Sequence, residues 1–484
     1  SGVRTGIVGV PELGLVYRRD SGNVNAGTLD IGFNNPNTAG IPGRPNPILP
    51  GAQLTATTGI EMRLSAQLLD ADPGQAPKVM FYVTSGSGDF ASNQFLPGLP
   101  GDTDNLGFPG GIGGDPMYDA RFFEAIDPTY RCFLTLALPE WAAVANNNAS
   151  LDSNWNHANP DGKNTTAVFG TLGLLQRNVN MNPRTLGGIV FRTNVVVPEA
   201  TTTGYTLNGG TITLDTYGRA ARLIASSADH VINAPVVVNQ NLVMDVAPGA
   251  QLDVNDVSNA PGISVTKVGG GRGLLNKLRG LASLSVQGGR LQIDAASSTN
   301  SLTIADGPSA PSAVLDVKKT GLVVDYTGPS PFADIRSLIL AGRAGGNWGG
   351  NGITSSSAAA NSTITAVGYA EASSLGLSSF LGLPVDSDAV VLRYTRMGDA
   401  NLNGTTELGD FAILGANFNG QGTVWGRGDF NFDGDTNLGD FALLAANFNQ
   451  SAPGDLPRAA VPEPAALGLL AVSAGLMLRR RRIG

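Results

Sequence analysis

Residues 398–449 write one pattern twice, thirty residues apart: GDANLNGTTELGDFAILGANFN, then GDFNFDGDTNLGDFALLAANFN. In each copy oxygen-bearing side chains fall at loop positions 1, 3, 5, 9 and 12, with glycine at 6. The first set is Asp399, Asn401, Asn403, Glu407 and Asp410 around Gly404; the second is Asp429, Asn431, Asp433, Asn437 and Asp440 around Gly434. This spacing suits Ca²⁺, which takes six to eight hard oxygens at roughly 2.3–2.6 Å from a tightly wound loop whose alternate residues point inward. Position 7 gives its carbonyl, so Thr405 and Asp435 serve without a particular side chain. Two ions are expected.

Position 12 of each loop opens a helix. Leu408, Phe411, Ala412, Gly415 and Phe418 recur at helical spacing, as do Leu438, Phe441, Ala442, Ala445 and Phe448. The expectation is a pseudo-symmetric pair packed face to face through these stripes. No entering helix precedes either loop, since VLRYTRM reads as a strand and GTVWGR as a connector. The region 397–450 thus resembles the dockerin type I module, a pair of half EF-hands. It departs from that family at loop positions 10 and 11, where Leu408-Gly409 and Leu438-Gly439 replace the Ser-Thr type pair of cohesin-binding members. The resemblance implies calcium binding and a protein partner for the module.

The elements that must carry this pair are mostly β. The 484 residues include 65 glycines and only 14% charged side chains, which indicates many turns and little helix. A net charge of −8 leaves no basic face for nucleic acid. One cysteine, Cys132, excludes an internal disulfide framework and reads as a buried small hydrophobe in the apolar run YRCFLTLAL. The start, SGVRTG, has neither methionine nor an apolar leader and suggests a mature form or a fragment.

Residues 1–145 alternate strand-like runs, IEMRLSAQLLD, KVMFYVTSG and YRCFLTLAL, with Gly/Pro-rich loops, and predict a small β-sandwich-like domain. From residue 146 to about 330 the text becomes a procession of four- to seven-residue strands separated by Gly or Asn turns, which predicts a parallel β-solenoid (β-helix). Its wording, SNW, TAVFG, GGIVF and SLSVQGGRLQI, is similar to the autotransporter-associated β-strand repeat. Residues 325–376 resemble the linker that joins such solenoids to dockerin modules, and 331–396 are expected to form the solenoid cap and linker. One helix is expected there over residues 333–343, with Ile335, Leu338, Ile339 and Gly342 on one face, and Trp348 capping the solenoid's end.

The segment 451–484 closes with VPEPAALGLLAVSAGLMLRRRRIG. Pro462-Glu463-Pro464, an uncharged run from Ala465 to Leu478, and Arg479, Arg480, Arg481 and Arg482 stand in the order of the PEP-CTERM sorting signal, which this segment resembles. The resemblance implies an exosortase-type sorting enzyme as partner, tail removal and delivery to the cell surface. A C-terminal hydrophobic helix of fourteen residues spans ~21 Å, short of a ~30 Å hydrocarbon core, so membrane association should be transient. The four arginines would remain on the cytoplasmic side.

A β-helix can also host polysaccharide lyase or glycoside hydrolase chemistry, which needs two carboxylates roughly 5–9.5 Å apart. Asp253 and Asp256 flank a turn. Arg272, Lys277, Arg279 and Arg290 look scattered among glycines, and His157 and His230 have no evident acid or serine partner. No catalytic set is assembled. The sequence therefore reads as an extracellular, calcium-binding structural or adhesive surface protein, with an extracellular polysaccharide as a conceivable ligand. Its alternative is a carbohydrate-active β-helix enzyme tethered through its dockerin.

Overall fold

In the computed structural model, residues 138–453 are described, apart from 158, 173–175 and 193–202, together with the backbone of short strands before residue 138. Those early strands form antiparallel pairs: Val3–Gly6 with Gly14–Tyr17, Leu29–Phe33 with Ile60–Leu64, Lys78–Val79 with Leu134–Thr135, and Phe81–Ser85 with Phe90–Leu96. The rest of the expected sandwich, Cys132, and the tail from residue 454 lie outside the described residues.

The described chain is mostly β, and residues 166–324 form a parallel β-solenoid of about seven turns. Contacts divide the chain into two compact units, 1–273 and 274–484. In the first unit each turn lays down three short strands. One face stacks Thr166–Phe169, Gly188–Phe191, Ala221–Ala225, Leu242–Val246 and Ser264–Val268 in parallel. A second face stacks Asn178–Asn180, Thr203–Asn208, Asp229–Ile232 and Gln251–Val254, and a third Arg184–Leu186, Ile212–Leu214, Val236–Val238 and Val257–Asn259.

The two-residue side-chain period explains this core. In Leu242–Val246, residues Leu242, Met244 and Val246 are buried while Val243 and Asp245 face outward. Parallel register then places Leu223, Met244 and Lys267 above one another, so a lysine sits in the aliphatic stack. Its Nζ curls back to donate to the carbonyls of Val268 (2.7 Å) and Gly269 (2.8 Å). Burial lowers this lysine to about 8, against the opposing pull of Asp245. At the turn, Gly269 has φ +76° and a Cβ there would meet the Val246 carbonyl at 2.3 Å, so only glycine fits. Between the second and third faces an asparagine ladder runs along the turns: Asn255 Nδ2 donates to Asn233 Oδ1 (2.8 Å), and Asn233 Nδ2 to Asn208 Oδ1 (2.9 Å).

The open end of the first coil is covered rather than left as a free edge. Val168 N donates to the Pro139 carbonyl and Trp141 N to the Val168 carbonyl, while Trp141 and Trp155 meet edge to face at 5.4 Å and pack on Phe169. Inside, Phe169, Phe191 and His230 continue as an aromatic stack, Phe191 to His230 at 4.2 Å. His230 is buried; its Nδ1 accepts from Tyr205 N–H (3.0 Å) and its Nε2 bonds to the Ser227 carbonyl (2.7 Å). Burial pushes it down to about 4, the Ser227 bond opposing and the Arg177 charge assisting. An unfolded histidine titrates near 6.5, so the unfolded chain binds the proton more readily. Stability from this site is then complete above about pH 6.5 and is lost as pH falls toward 4. A thermal melt of the wild-type chain should show this acid slope, and His230→Phe, which keeps the stack without a titrating group, should flatten it. An identical slope in both would refute the assignment.

In the second unit the last turns pair Ser283–Val286 with Leu302–Ile304, Arg290–Gln292 with Val314–Asp316, and Ser297–Thr299 with Gly321–Asp325. The parallel pattern ends where Ala389–Arg396 pairs antiparallel with both Gly321–Asp325 and Thr365–Glu371. Helix α1 (Phe332–Arg343) buries Ile335, Leu338, Ile339 and Gly342, the face expected from the sequence. Gly342 lies so close to strand Gly352–Thr354 that a Cβ would meet the Ile353 carbonyl at 2.0 Å. Trp348 is buried, its ring 6.0 Å from that of Phe432. Among the described residues no helix is long and apolar enough to cross a membrane.

Candidate calcium centre

Strand Ala389–Arg396 delivers the chain to the first loop, which ends on helix α2 (Leu408–Ala416); the second loop ends on helix α3 (Leu438–Ala446). Each loop is closed by the strand that follows the other loop's helix. Thr405–Thr406 pairs antiparallel with Gln450–Ser451, and Asp435–Thr436 with Gly420–Gln421. The thirty-residue repeat thus becomes a pseudo-twofold exchange.

Within the first loop Asp399 accepts from the N–H groups of Asn403 (3.0 Å) and Gly404 (2.9 Å) and from the Thr395 hydroxyl. Asp410 accepts from Asn401 N (3.0 Å) and from Glu407 N (2.8 Å), the second bond capping α2. Asn401 and Asn403 each accept from the N–H two residues on, and Asn403 Nδ2 donates to Glu407 Oε1 (2.7 Å). The second loop repeats this with Asp429 accepting from Gly434 N (3.1 Å) and Asp440 from Asn431 N (3.1 Å) and Asn437 N (3.0 Å). Asn431 and Asp433 again accept two residues on, and Asn431 Nδ2 donates to Asp433 Oδ2. Gly404 (φ +99°) and Gly434 (φ +92°) make the corners. Thr405 and Asp435 stand at position 7 with their backbone in the short strands, and Asn437 turns its side chain to Gly439 N (2.7 Å).

Four carboxylates, Asp399, Asp410, Asp429 and Asp440, are buried. Burial pushes Asp399 up to about 7, opposed by the Thr395 bond and reinforced by Asp410. Burial likewise takes Asp410 to about 6, opposed by its backbone bonds, and Asp429 to about 6, reinforced by Asp440. Asp440 is raised by the same cause, against three backbone bonds. Such groups await either protons or a cation. Asp429 Oδ1 is buried with no hydrogen-bond partner. Among the described residues no group of three or more His, Cys, Asp or Glu side chains is gathered as a metal site. What the loops gather is mixed, carboxylate with amide and carbonyl oxygen. An all-oxygen set of this kind fits a hard cation such as Ca²⁺ and not a thiolate- or imidazole-seeking metal.

The apolar stripes do not pack face to face as expected. Leu408 and Leu438 are 71% and 72% exposed, and Phe411, Phe418, Phe441 and Phe448 are also exposed. The buried residues are Asp410 with Leu414 and Asp440 with Leu444. The reason lies in helical phase: the position-12 carboxylate must point into its loop, so the residue four on shares its face and the Phe-rich stripe is turned outward.

Sequence reasoning also missed what holds the second loop. Phe432, at loop position 4, is set among Trp348 (6.0 Å), Tyr369 (6.3 Å) and Trp425 (5.4 Å), with the Arg343 guanidinium 4.9 Å from its ring. Trp425 Nε1 donates to the Asp399 carbonyl (2.7 Å), tying the two loops together. Gly368 leaves the room: a Cβ there would meet Trp425 Nε1 at 2.5 Å and Leu402 at 2.6 Å. Arg396 clamps the far end, donating to the Ser451 carbonyl and to Asn447 Oδ1, both at 2.8 Å. The signal was present, since position 4 is apolar in both copies, as Leu402 and Phe432.

Two of the four basic residues named from the sequence, Arg272 and Arg290, are paired with acids. Arg272 ion-pairs with Asp253 (2.9 Å), its Nη2 donating to Oδ2 (3.0 Å), and donates to Gln251 (2.6 Å), and Arg290 pairs with buried Asp316 (3.0 Å). Stacking of adjacent coils brings together residues about twenty apart in sequence. Asp256 and His157 are exposed. Pro462, Glu463, Pro464 and Arg479–Arg482 lie outside the described residues. No family model, curated protein or solved structure matches the chain.

Proposed function

We propose that the protein is an extracellular, calcium-binding structural or adhesive surface protein. A β-solenoid spaces its ends, and a dockerin-like pair binds two Ca²⁺ ions and serves a protein partner. The PEP-CTERM-like tail is the address read by an exosortase-type enzyme. The observation that carries the calcium part is the buried, unpartnered Asp429 Oδ1 in a loop of oxygen donors. Asp399, Asp410, Asp429 and Asp440, with Asn401, Asn403, Asn431 and Asp433, would hold the ions; Glu407, Asn437 and the carbonyls of Thr405 and Asp435 complete the two sets. Bound calcium supplies positive charge that the buried carboxylates lack. Asp253, the best-placed acid for the alternative of a carbohydrate-active enzyme, is held by Arg272, which supports a structural role.

Terbium, a luminescent lanthanide that takes the same oxygen ligands, tests the assignment. Trp425 lies against the first loop through its bond to Asp399 and should sensitise the emission. Emission that Ca²⁺ displaces, and that Asp399→Ala combined with Asp429→Ala removes, is the expected result. Emission unaffected by those substitutions would refute it.

A further inference from the structure

Six of the ten large hydrophobic side chains exposed among the described residues lie on or just after α2 and α3, which makes this the apolar surface most in need of cover. Phe411 and Phe441 touch edge to face at 6.2 Å and join the two stripes into one surface. The only charged residues of these helices, Asp410 and Asp440, point inward. The outer face therefore offers nothing to a charged partner and suits an uncharged apolar one.

The chain itself contains such a segment. After Gln450–Ser451, which is held in its strand pair, and Pro453, eleven residues lead to AALGLLAVSAGLML, Ala465–Leu478, fourteen residues without a charge. Eleven residues can span up to ~36 Å, whereas a nine-residue helix is only ~14 Å long. The tether thus reaches every part of the face. It also holds the segment at an effective concentration in the millimolar range, far above that of a second copy at micromolar levels. In water both surfaces lose by staying exposed, at ~25 cal/mol per Å² of apolar area. We infer that Ala465–Leu478 docks on the outer face of α2 and α3 of its own chain, so that the chain shields its own apolar tail. This docking does not rest on the sorting assignment. If sorting removes the tail, the same step uncovers the face for a partner.

The full-length chain carrying the photo-crosslinker p-benzoylphenylalanine in place of Phe441 tests this in calcium-containing buffer at about 1 µM, where intramolecular capture dominates. Irradiation followed by peptide mapping should find crosslinks to residues 465–478 within the same chain. Leu470→Asp, which puts a charge into the docked segment, should cut the yield about tenfold. Crosslinks between chains that rise with concentration, crosslinks only elsewhere in the chain, or a yield unchanged by Leu470→Asp would each overturn the proposal. Should the probe at 441 impair folding, the far more exposed Leu438 takes it with the same expectations.

Discussion

Chelating calcium with EDTA at neutral pH is expected to melt residues 398–453 and to loosen the cap around α1 in the same transition. Without the ion the folded loops hold four buried carboxylates whose proton affinity exceeds that of the unfolded chain, Asp399 at about 7 and Asp410 and Asp429 at about 6 against 3.8. Raised carboxylates stabilise the fold only while protonated, so their contribution is complete below about pH 4 and is lost as pH rises through 6 to 7. The EDTA effect should therefore be largest at neutral pH and shrink toward pH 4. With the ion at a hundredfold excess over Kd, each site adds about 2.7 kcal/mol, so two sites supply ~5 kcal/mol, comparable to the whole stability of a small domain. The cap follows because Phe432 is packed between Trp348, Tyr369 and Arg343. The coils of residues 166–273 contain no such loop, and their transition should stay in place. A calorimetric scan that shows the same melt with and without EDTA would contradict this. The full chain is the right sample, because excising the module would strip Phe432 of its cradle.

The second large effect concerns the solenoid. Val286 is fully buried at the end of Ser283–Val286, in register with Ile304, with Ala305 N donating to its carbonyl (2.9 Å). Val286→Asp would place a carboxylate in an aliphatic stack with no counter-charge supplied, a cost of several kcal/mol against a typical 5–15 kcal/mol of stability. Because each coil contacts its neighbours, the defect should abolish cooperative unfolding of the second unit and not merely lower its midpoint. Circular dichroism during heating reads this directly. A melt identical to wild type would mean that the inward phase of this strand is wrong.

The solenoid was legible because its code is local: alternating burial in strands such as Leu242–Val246, with glycine or asparagine at the turns, fixes which residues face inward. The face of α1 was legible for the same reason, with Ile335, Leu338, Ile339 and Gly342 one turn apart. What depended on register between distant segments was not. Arg272 meets Asp253, and Asn255 meets Asn233, only once coils stack. The outward turn of Phe411 and Phe441 was misjudged because hydrophobic periodicity says that a helix has an apolar stripe, not that the stripe is buried. Here the opposite face is taken by the position-12 carboxylate and the leucine four residues on. The cradle of Phe432 required knowing that the cap helix and Trp348 lie beside the second loop.

Calcium binding at the loops 399–410 and 429–440 can be read by isothermal titration of Ca²⁺ into the chelator-stripped full-length chain. The heat should saturate at two ions per chain and at one with Asp440→Ala, which removes the position-12 ligand of the second loop. No heat on adding calcium, or two-ion binding left intact by Asp440→Ala, would contradict it.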